Sequence, residues 1–302
     1  MSRILVVDDE PALRQILQNL LIGSGYEVST ACDGEEGLAM ALAEPWDMVL
    51  SDISMPRRNG IEMLAEIARL RPDVHRVLLT AHTIEEYIGE LLEHDLSCVL
   101  TKSVPFPVKE VLETVDSLLT RRIFGIGRHI EPGTPVVRHA VLCHQDILDL
   151  SESISNMAEG RRKIHLCTIM NEILTNAVYY GVRNEPGDNK ESWAREFALE
   201  EEETVVVETA QDQQKLVITV TDPGGSLKRS TVLHWLHRQL ARDENGLPLG
   251  IFDNHGRGFF ISRSFSDRLS ISIERGRRCE VTLVLYRGQP PLGEKPLVIL
   301  EV

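Results

Sequence analysis

The chain has 302 residues, 42% hydrophobic and 26% charged, a length that suggests about two domains, each large enough to bury its own core. Its 32 basic and 46 acidic side chains give a formal charge of −14, which disfavours non-specific attraction to phosphate backbones or anionic lipid. Five scattered cysteines (Cys32, Cys98, Cys143, Cys167, Cys279), odd in number and without C-x-x-C spacing, suggest neither a disulfide framework nor a zinc site, and read as small buried hydrophobes in a reducing cytosol. No basic-then-apolar leader opens the chain and no apolar run reaches about 18 residues, so the expectation is a cytoplasmic protein, neither secreted nor membrane-spanning.

From Met1 to about Leu119, short apolar runs alternate with longer amphipathic stretches, a rhythm that argues a parallel sheet covered by helices on both faces. The predicted strands are Ile4–Val7, Glu27–Thr30, Met48–Ser51, Val77–Thr80 and Cys98–Thr101; Ala12–Leu21, Glu35–Ala43, Ile61–Leu70, Ile84–His94 and Val108–Leu119 between and after them are helical. A first domain over 1–122, with 11 basic and 21 acidic residues, is the acidic part of the chain. Residues 123–142, rich in Gly and Pro, read as a joint plus one irregular strand opening a second domain over 123–302. There, helices over about His144–Met157 and Arg162–Tyr180 precede a polar insertion, Arg183–Glu203, that ends in four glutamates and reads as a solvated face. Thr204–Thr209 with Leu216–Thr221, and Leu269–Glu274 with Glu280–Tyr286, alternate like two hairpins around a mobile-looking stretch, Gly224–Gly258. Helices packed on one face of a sheet, α+β, are the expectation for this half.

Asp8-Asp9 directly follows the first strand and Asp52 the third, and the carboxyl ends of strands form the ligand crevice of an open α/β sheet. Clustered carboxylates repel unless a cation sits among them, and an all-oxygen site of this kind suits Mg²⁺. Thr80 and Lys102 end the fourth and fifth strands in the same crevice, so a hydroxyl and an ammonium join a metal around one carboxylate, the parts needed to stabilise an acyl phosphate. Taken singly, an Asp at a strand end is a helix cap or turn residue; the joint placement points to chemistry. The motifs V-D-D-E, S-D-I-S-M-P and L-L-T-A, with a lysine after the fifth strand, resemble the flavodoxin-like receiver domain of two-component response regulators over residues 1 to about 120. The resemblance implies that Asp52 is the phosphoacceptor, that Asp8, Asp9 and the main-chain carbonyl of Ser54 bind Mg²⁺ with it, that Thr80 is the switch hydroxyl, that Lys102 contacts the phosphoryl group, and that Gly60 is the loop glycine. It also implies an upstream sensor histidine kinase. Two positions depart from the family pattern. The switch aromatic is Val99, so a rotating ring on the fifth strand cannot report phosphorylation, and the usual Lys-Pro is Lys102-Ser103, with prolines displaced to Pro105 and Pro107.

In the second half, Glu172 and Asn176 stand at i and i+4 on one helical face; Asp222 closes a strand before Pro223-Gly224-Gly225, and Gly256-Arg257-Gly258 precedes Phe259-Phe260-Ile261. Glycines let backbone amides approach phosphates, and a helix N-terminus after Gly258 favours their charge. This ordered set resembles the Bergerat ATP-binding sandwich of the GHKL superfamily over roughly 135–286, and within it the anti-sigma-factor serine kinases. That resemblance implies ATP with Mg²⁺ held through Asn176, Glu172 as the base that deprotonates a substrate serine, Asp222 on the adenine amino group, and Gly224, Gly256 and Gly258 shaping the pocket and its lid. It also raises the expectation of a homodimer. Departures are Asp222-Pro-Gly-Gly-Ser226 for D-x-G-x-G and Cys279-Glu280 for Gly-Thr, where an inward Glu280 would be unwelcome beside adenine.

His144 sits on a helix, but no H-E-x-x-x-P follows and there is no room for a dimerising helix pair, which argues against a histidine kinase. His129, His139, His165, His234, His237 and His255 form no metal spacing, and Trp235 with Leu236 reads as the packing face of a lid helix. The leading reading is a response regulator whose output is a serine/threonine kinase acting on an anti-sigma antagonist, switched at Asp52. The alternative is a binding module that captures a sigma factor or antagonist, with nucleotide as a structural ligand or none. No helix-turn-helix or basic face supports a DNA-binding output.

Overall fold

The computed structural model describes residues 1–185, 196–244, 246–250, 253, 256–288, 290 and 292–302. The chain divides into two compact units: the first holds Met1–Ile123 together with residues 292–298, the second Phe124–Pro290 and Ile299–Val302. No helix among the described residues is long and apolar enough to cross a membrane.

The first unit is a parallel sheet ordered β2-β1-β3-β4-β5, built from β1 (Arg3–Val7), β2 (Glu27–Ala31), β3 (Met48–Asp52), β4 (His75–Thr80) and β5 (Cys98–Thr101). Every residue of β3 and β5 is buried, as strands covered on both faces require. The covering helices are α1 (Pro11–Gly23), α2 (Gly34–Ala43), α3 (Gly60–Leu70), α4 (Ile84–Glu93) and α5 (Val108–Thr120). Local chemistry sets several ends: Pro11 opens α1, the Asp33 carboxylate accepts from the Glu35 and Glu36 amides at the start of α2, and Asn59 accepts from Glu62 N at the start of α3. Strand order reverses between β1 and β3, so the Asp8 and Asp52 ends flank the switch point of the sheet.

A division into 1–122 and 123–302 misses one feature. Residues 292–298 belong to the first unit, because Leu297 and Val298 pair antiparallel with Val99 and Cys98, and Leu292 exchanges main-chain hydrogen bonds with Val104 at 2.9 and 3.2 Å. Edge strands present unpaired N–H and C=O groups, and these residues satisfy part of the β5 edge.

The second unit is antiparallel, ordered β9-β10-β8-β7-β6, from β6 (Val136–Val141), β7 (Val205–Gln211), β8 (Lys215–Asp222), β9 (Arg268–Glu274) and β10 (Arg278–Tyr286). Its helices are α6 (His144–Ser155), α7 (Arg161–Asn176), which runs into one wider turn over Ala177–Val182, α8 (Arg229–Leu240) and α9 (Arg257–Phe265). Strand alternation sorts the core: Leu216, Ile218, Val220, Leu283 and Leu285 meet Leu166, Ile169, Met170 and Leu174 of α7 and Ile147 of α6. Val217 and Val284 point the other way, against Ile126 and Ile130. The Gly-rich joint is therefore packed structure, and its 124–130 part supplies apolar cover for the sheet face that the helices leave open. Of the polar insertion, residues 186–195 lie outside the described residues.

Candidate functional sites

In the first unit, β3 ends on Asp52 and β4 on Thr80, Asp8-Asp9 follows β1 and Lys102 follows β5, so the parallel sheet delivers all five residues to one rim. Asp8, Asp52 and Thr80 are buried and Asp9 is exposed. Carboxylate oxygens of Asp8, Asp9 and Asp52 all lie within 4.8 Å of one another. Lys102 Nζ stands 2.9 Å from Asp8 Oδ2 and 2.9 Å from Asp52 Oδ1. Burial pushes the Asp52 carboxyl above its ordinary value, and the Lys102 ammonium pulls part of that back. For Lys102 burial acts against the charge, yet its hydrogen bonds to Asp52 and Asp8 hold the ammonium above the usual lysine range. Three converging carboxylates with a single lysine ammonium among them leave negative charge uncompensated, which fits a divalent ion with oxygen ligands. Thr80 Oγ1 accepts from His82 N at 2.9 Å, and Lys102 N donates to the Thr80 carbonyl at 2.7 Å. A Cβ at Gly60 would overlap the Asp52 carbonyl oxygen, so the start of α3 can lie against β3 only with glycine there. Val99 is fully buried, and the cis peptide of the following loop falls at Val104–Pro105.

In the second unit a cavity of about 370 Å³ lies between α7, α8, the start of α9 and the ends of β8 and β10. Glu172, Asn176, Asp222, Gly256 and Gly258 all line it; Gly224 lies beside it in the turn after Asp222. Asn176 Nδ2 donates to Glu172 Oε1 at 3.4 Å, while the buried Asn176 Oδ1 has no hydrogen-bond partner. An orphaned carbonyl oxygen beside a carboxylate fits a cation ligand, because an unmet acceptor is costly to bury. A Cβ on Gly258 would stand 2.5 Å from Glu172 Cγ, which shows how closely the first turn of α9 passes that side chain. Gly256 caps α9 with φ +78° and lies against the Trp235 ring. Asp222 Oδ1 accepts from Gly224 N at 3.1 Å and Gly225 N at 3.3 Å, and burial still pushes its carboxyl up to about 6.

Glu280 is not in this cavity. Its neighbours Cys279 and Val281 line it, and the strand turns Glu280 to the opposite face, where its oxygens accept from Gly125 N at 2.9 and 3.0 Å and from Thr221 Oγ1 at 3.3 Å. Trp235 departs from the sequence expectation: Val232, Leu233 and Leu236 form the packing face of α8, and Trp235 lines the cavity. Gly181 falls outside the motifs that the sequence offers. A Cβ there would stand 2.5 Å from Asp222 Cγ, and a glycine soon after N-A in a helix was the available signal. Of the cysteines, Cys98 and Cys279 are buried as expected, whereas Cys32 is exposed and Cys143 and Cys167 are half-buried. His255 lies outside the described residues.

Comparison with known proteins agrees with this division. Residues 4–116 match the response regulator receiver domain and residues 136–285 the histidine kinase-like ATPase domain. The alkaline phosphatase synthesis transcriptional regulatory protein PhoP of Bacillus subtilis is 35% identical over 120 residues, 40% of this chain and 49% of that protein. The probable transcriptional regulator ycf27 of Cyanidium caldarium is 35% identical over 118 residues, 39% of this chain and 46% of that protein. This chain thus spans about half the length of these curated relatives. Among solved structures, the response regulator TrrA of Thermotoga maritima, in complex with Mg²⁺-BeF, is 39% identical with a TM-score of 0.36, covering 39% of this chain and 99% of that one.

Proposed function

From a chain that joins a response regulator receiver domain to a histidine kinase-like ATPase domain, we propose a cytoplasmic regulator phosphorylated on Asp52 that controls an ATP-dependent serine/threonine kinase output of the anti-sigma-factor type. An Asp52 oxygen would attack phosphorus as the phosphohistidine nitrogen of a sensor kinase leaves. Mg²⁺, held by Asp8, Asp9, Asp52 and the Ser54 carbonyl, supplies charge neutralisation when bound. Lys102, which in this structure pairs with two buried carboxylates, exchanges them for a phosphoryl oxygen, and the Thr80 hydroxyl donates to another.

The reading of the output rests on one observation above all: Glu172 and the unpartnered Asn176 oxygen stand side by side in a cavity closed by the glycine-capped start of α9. Asn176 would hold the cation that bridges the ATP phosphates, Glu172 would take the proton of a substrate serine, and Asp222 would accept from the adenine amine. Phosphoryl transfer needs mainly positioning and neutralised charge, so this sparse set suffices. With Glu280 on the other face, no charge stands against the base from β10.

Calorimetry of Mg-ATP binding to the full chain, with and without beryllofluoride as a mimic of phosphorylated Asp52, tests the assignment. Binding that changes with beryllofluoride supports it, and labelled ATP with candidate antagonists should then yield phosphoserine that disappears in Glu172→Ala. Absence of binding in either state would remove the kinase, and partner capture by Asn176→Ala protein as efficient as wild type would establish the alternative, a protein-binding module.

A further inference from the structure

The loop after β3 is held from α4. Ser54 Oγ lies 3.1 Å from the hydroxyl of Tyr87, which sits in the first turn of that helix. The same tyrosine ring meets His82 edge-on, with centroids 6.3 Å apart and planes at 74°, and His82 N in turn donates to Thr80 Oγ1 at 2.9 Å. One side chain thus touches both loops that leave the carboxyl ends of β3 and β4. Ile84 and Ile88 are buried to either side of Tyr87 and fix the helix beneath it. The far half of the 54–59 loop has its own anchors: Arg57 pairs with Asp33, Arg58 with Glu66, and Asn59 caps α3. On the near side the main chain is fixed as far as Ile53, whose N–H donates to the Leu79 carbonyl at 3.1 Å and whose carbonyl accepts from Gly60 N at 2.8 Å; beyond it, the Ser54 side chain is held from Tyr87.

We propose that Tyr87 is a positioning residue for the divalent cation of the Asp52 site: by holding the Ser54 hydroxyl it fixes the peptide whose carbonyl faces the cation. The proposal rests on the proposed function, in which Asp8, Asp9, Asp52 and the Ser54 carbonyl are that cation's ligands. Mg²⁺ demands near-octahedral geometry, so a main-chain ligand on a loose loop end is a poor one. The cluster leaves little slack, since Asp8 and Asp52 are buried at strand ends that cannot follow a wandering loop. The Tyr87 hydroxyl itself is not a ligand; its effect passes through Ser54.

The test uses the full chain without nucleotide and Mn²⁺ as the probe, with free ion counted by its paramagnetic resonance signal. Wild type should bind in a manner lost in Asp52→Asn. Tyr87→Phe keeps the ring and its contact with His82, and should bind about tenfold more weakly, the low end for removal of a partner that orients a metal ligand. Ser54→Ala keeps the main-chain carbonyl and should lose the same factor, and the double variant should lose no more than either single one. Glu90→Gln, on the same helix, should bind like wild type. Tyr87→Phe with wild-type affinity would overturn the proposal, as would losses that multiply in the double variant or a lowered melting temperature with unchanged Mn²⁺ affinity. Wild-type protein whose Mn²⁺ binding survives Asp52→Asn would instead remove the cation site, and the proposal with it.

Discussion

Each unit buries carboxylates, and the two neutralise them by different means. Asp8 and Asp52 share the Lys102 ammonium at 2.9 Å, so one full positive charge stands between two carboxylates. Asp222 and Glu280 are equally buried but rest mainly on main-chain N–H groups, Gly224 and Gly225 for the first and Gly125 for the second, and burial pushes both carboxyls upward. The difference suits the chemistry proposed for each. A site that must accept a metal and a phosphoryl group needs a cation able to change partners, whereas a site that reads a neutral base needs a fixed acceptor.

Lys102→Met strands two buried carboxylates, and breaking a buried pair by removing one partner costs about 3–5 kcal/mol. Urea unfolding of the first unit should show a loss of that order, partly restored by Mg²⁺, because an ion bound only to the folded state adds stability. A loss below about 1 kcal/mol would mean that the carboxylates are adequately solvated and that the comparison is wrong.

For Asp222 the sign runs through the proton. Its folded value of about 6 exceeds the ordinary 3.8, so between those values the folded state holds a proton that the unfolded chain has released. The contribution of Asp222 to the stability of the second unit is therefore fully present below that window and is lost as pH rises through it, about 3 kcal/mol for the whole shift. Asp222→Asn should flatten that part of the profile, read as melting temperature against pH; an unchanged profile would assign the dependence elsewhere, with Glu280 next in line. Nucleotide binding should move oppositely, tightening as Asp222 ionises and becomes the better acceptor for an amine.

Glu280→Ala sharpens the comparison on the other face of the same sheet. It removes the acceptor of Gly125 N–H and should cost about 1.5–3 kcal/mol, the range for hydrogen bonds to charged groups. Mg-ATP affinity should stay within about twofold, since Cys279 and Val281, not Glu280, line the cavity. A large loss of affinity with little loss of stability would place Glu280 in the cavity.

These contrasts also show what could be read without coordinates. Asp8, Asp52, Thr80 and Lys102 are legible because all strands of a parallel sheet deliver their ends to one rim, so strand boundaries alone bring the residues together. Glu172 and Asn176 are legible from the i, i+4 rule. The pairing of Leu297 and Val298 with Val99 and Cys98 is not, because a short apolar run carries no record of which distant edge it completes. The Ser54–Tyr87 contact escapes for a similar reason: it joins a loop to a helix face 33 residues away, and neither residue is unusual where it stands. Strand alternation is sufficient to place Glu280 on the face opposite Cys279 and Val281, whereas motif position alone points to the pocket.

The smallest effect concerns Trp235, whose helical periodicity groups it with Leu236 although the cavity claims it. Of the three tryptophans, Trp46 is buried in the first unit with its indole N–H on the Met40 carbonyl at 3.0 Å, and Trp193 lies outside the described residues. Nucleotide entering the cavity should change the emission of Trp235, and Trp235→Phe should abolish that change while weakening Mg-ATP binding only about threefold, roughly 0.7 kcal/mol at 1.4 kcal/mol per factor of ten. The phenyl ring keeps part of the apolar wall, and Asn176, Asp222 and the start of α9 are untouched. Gly256→Ala provides the complement, because a Cβ there would overlap the indole and push it from its place. If Trp235 forms the wall, Gly256→Ala should shift the emission of the nucleotide-free protein, and the same substitution combined with Trp235→Phe should leave it unshifted. An emission shift that persists in the combined variant would locate the reporter outside α8 and return Trp235 to a packing role.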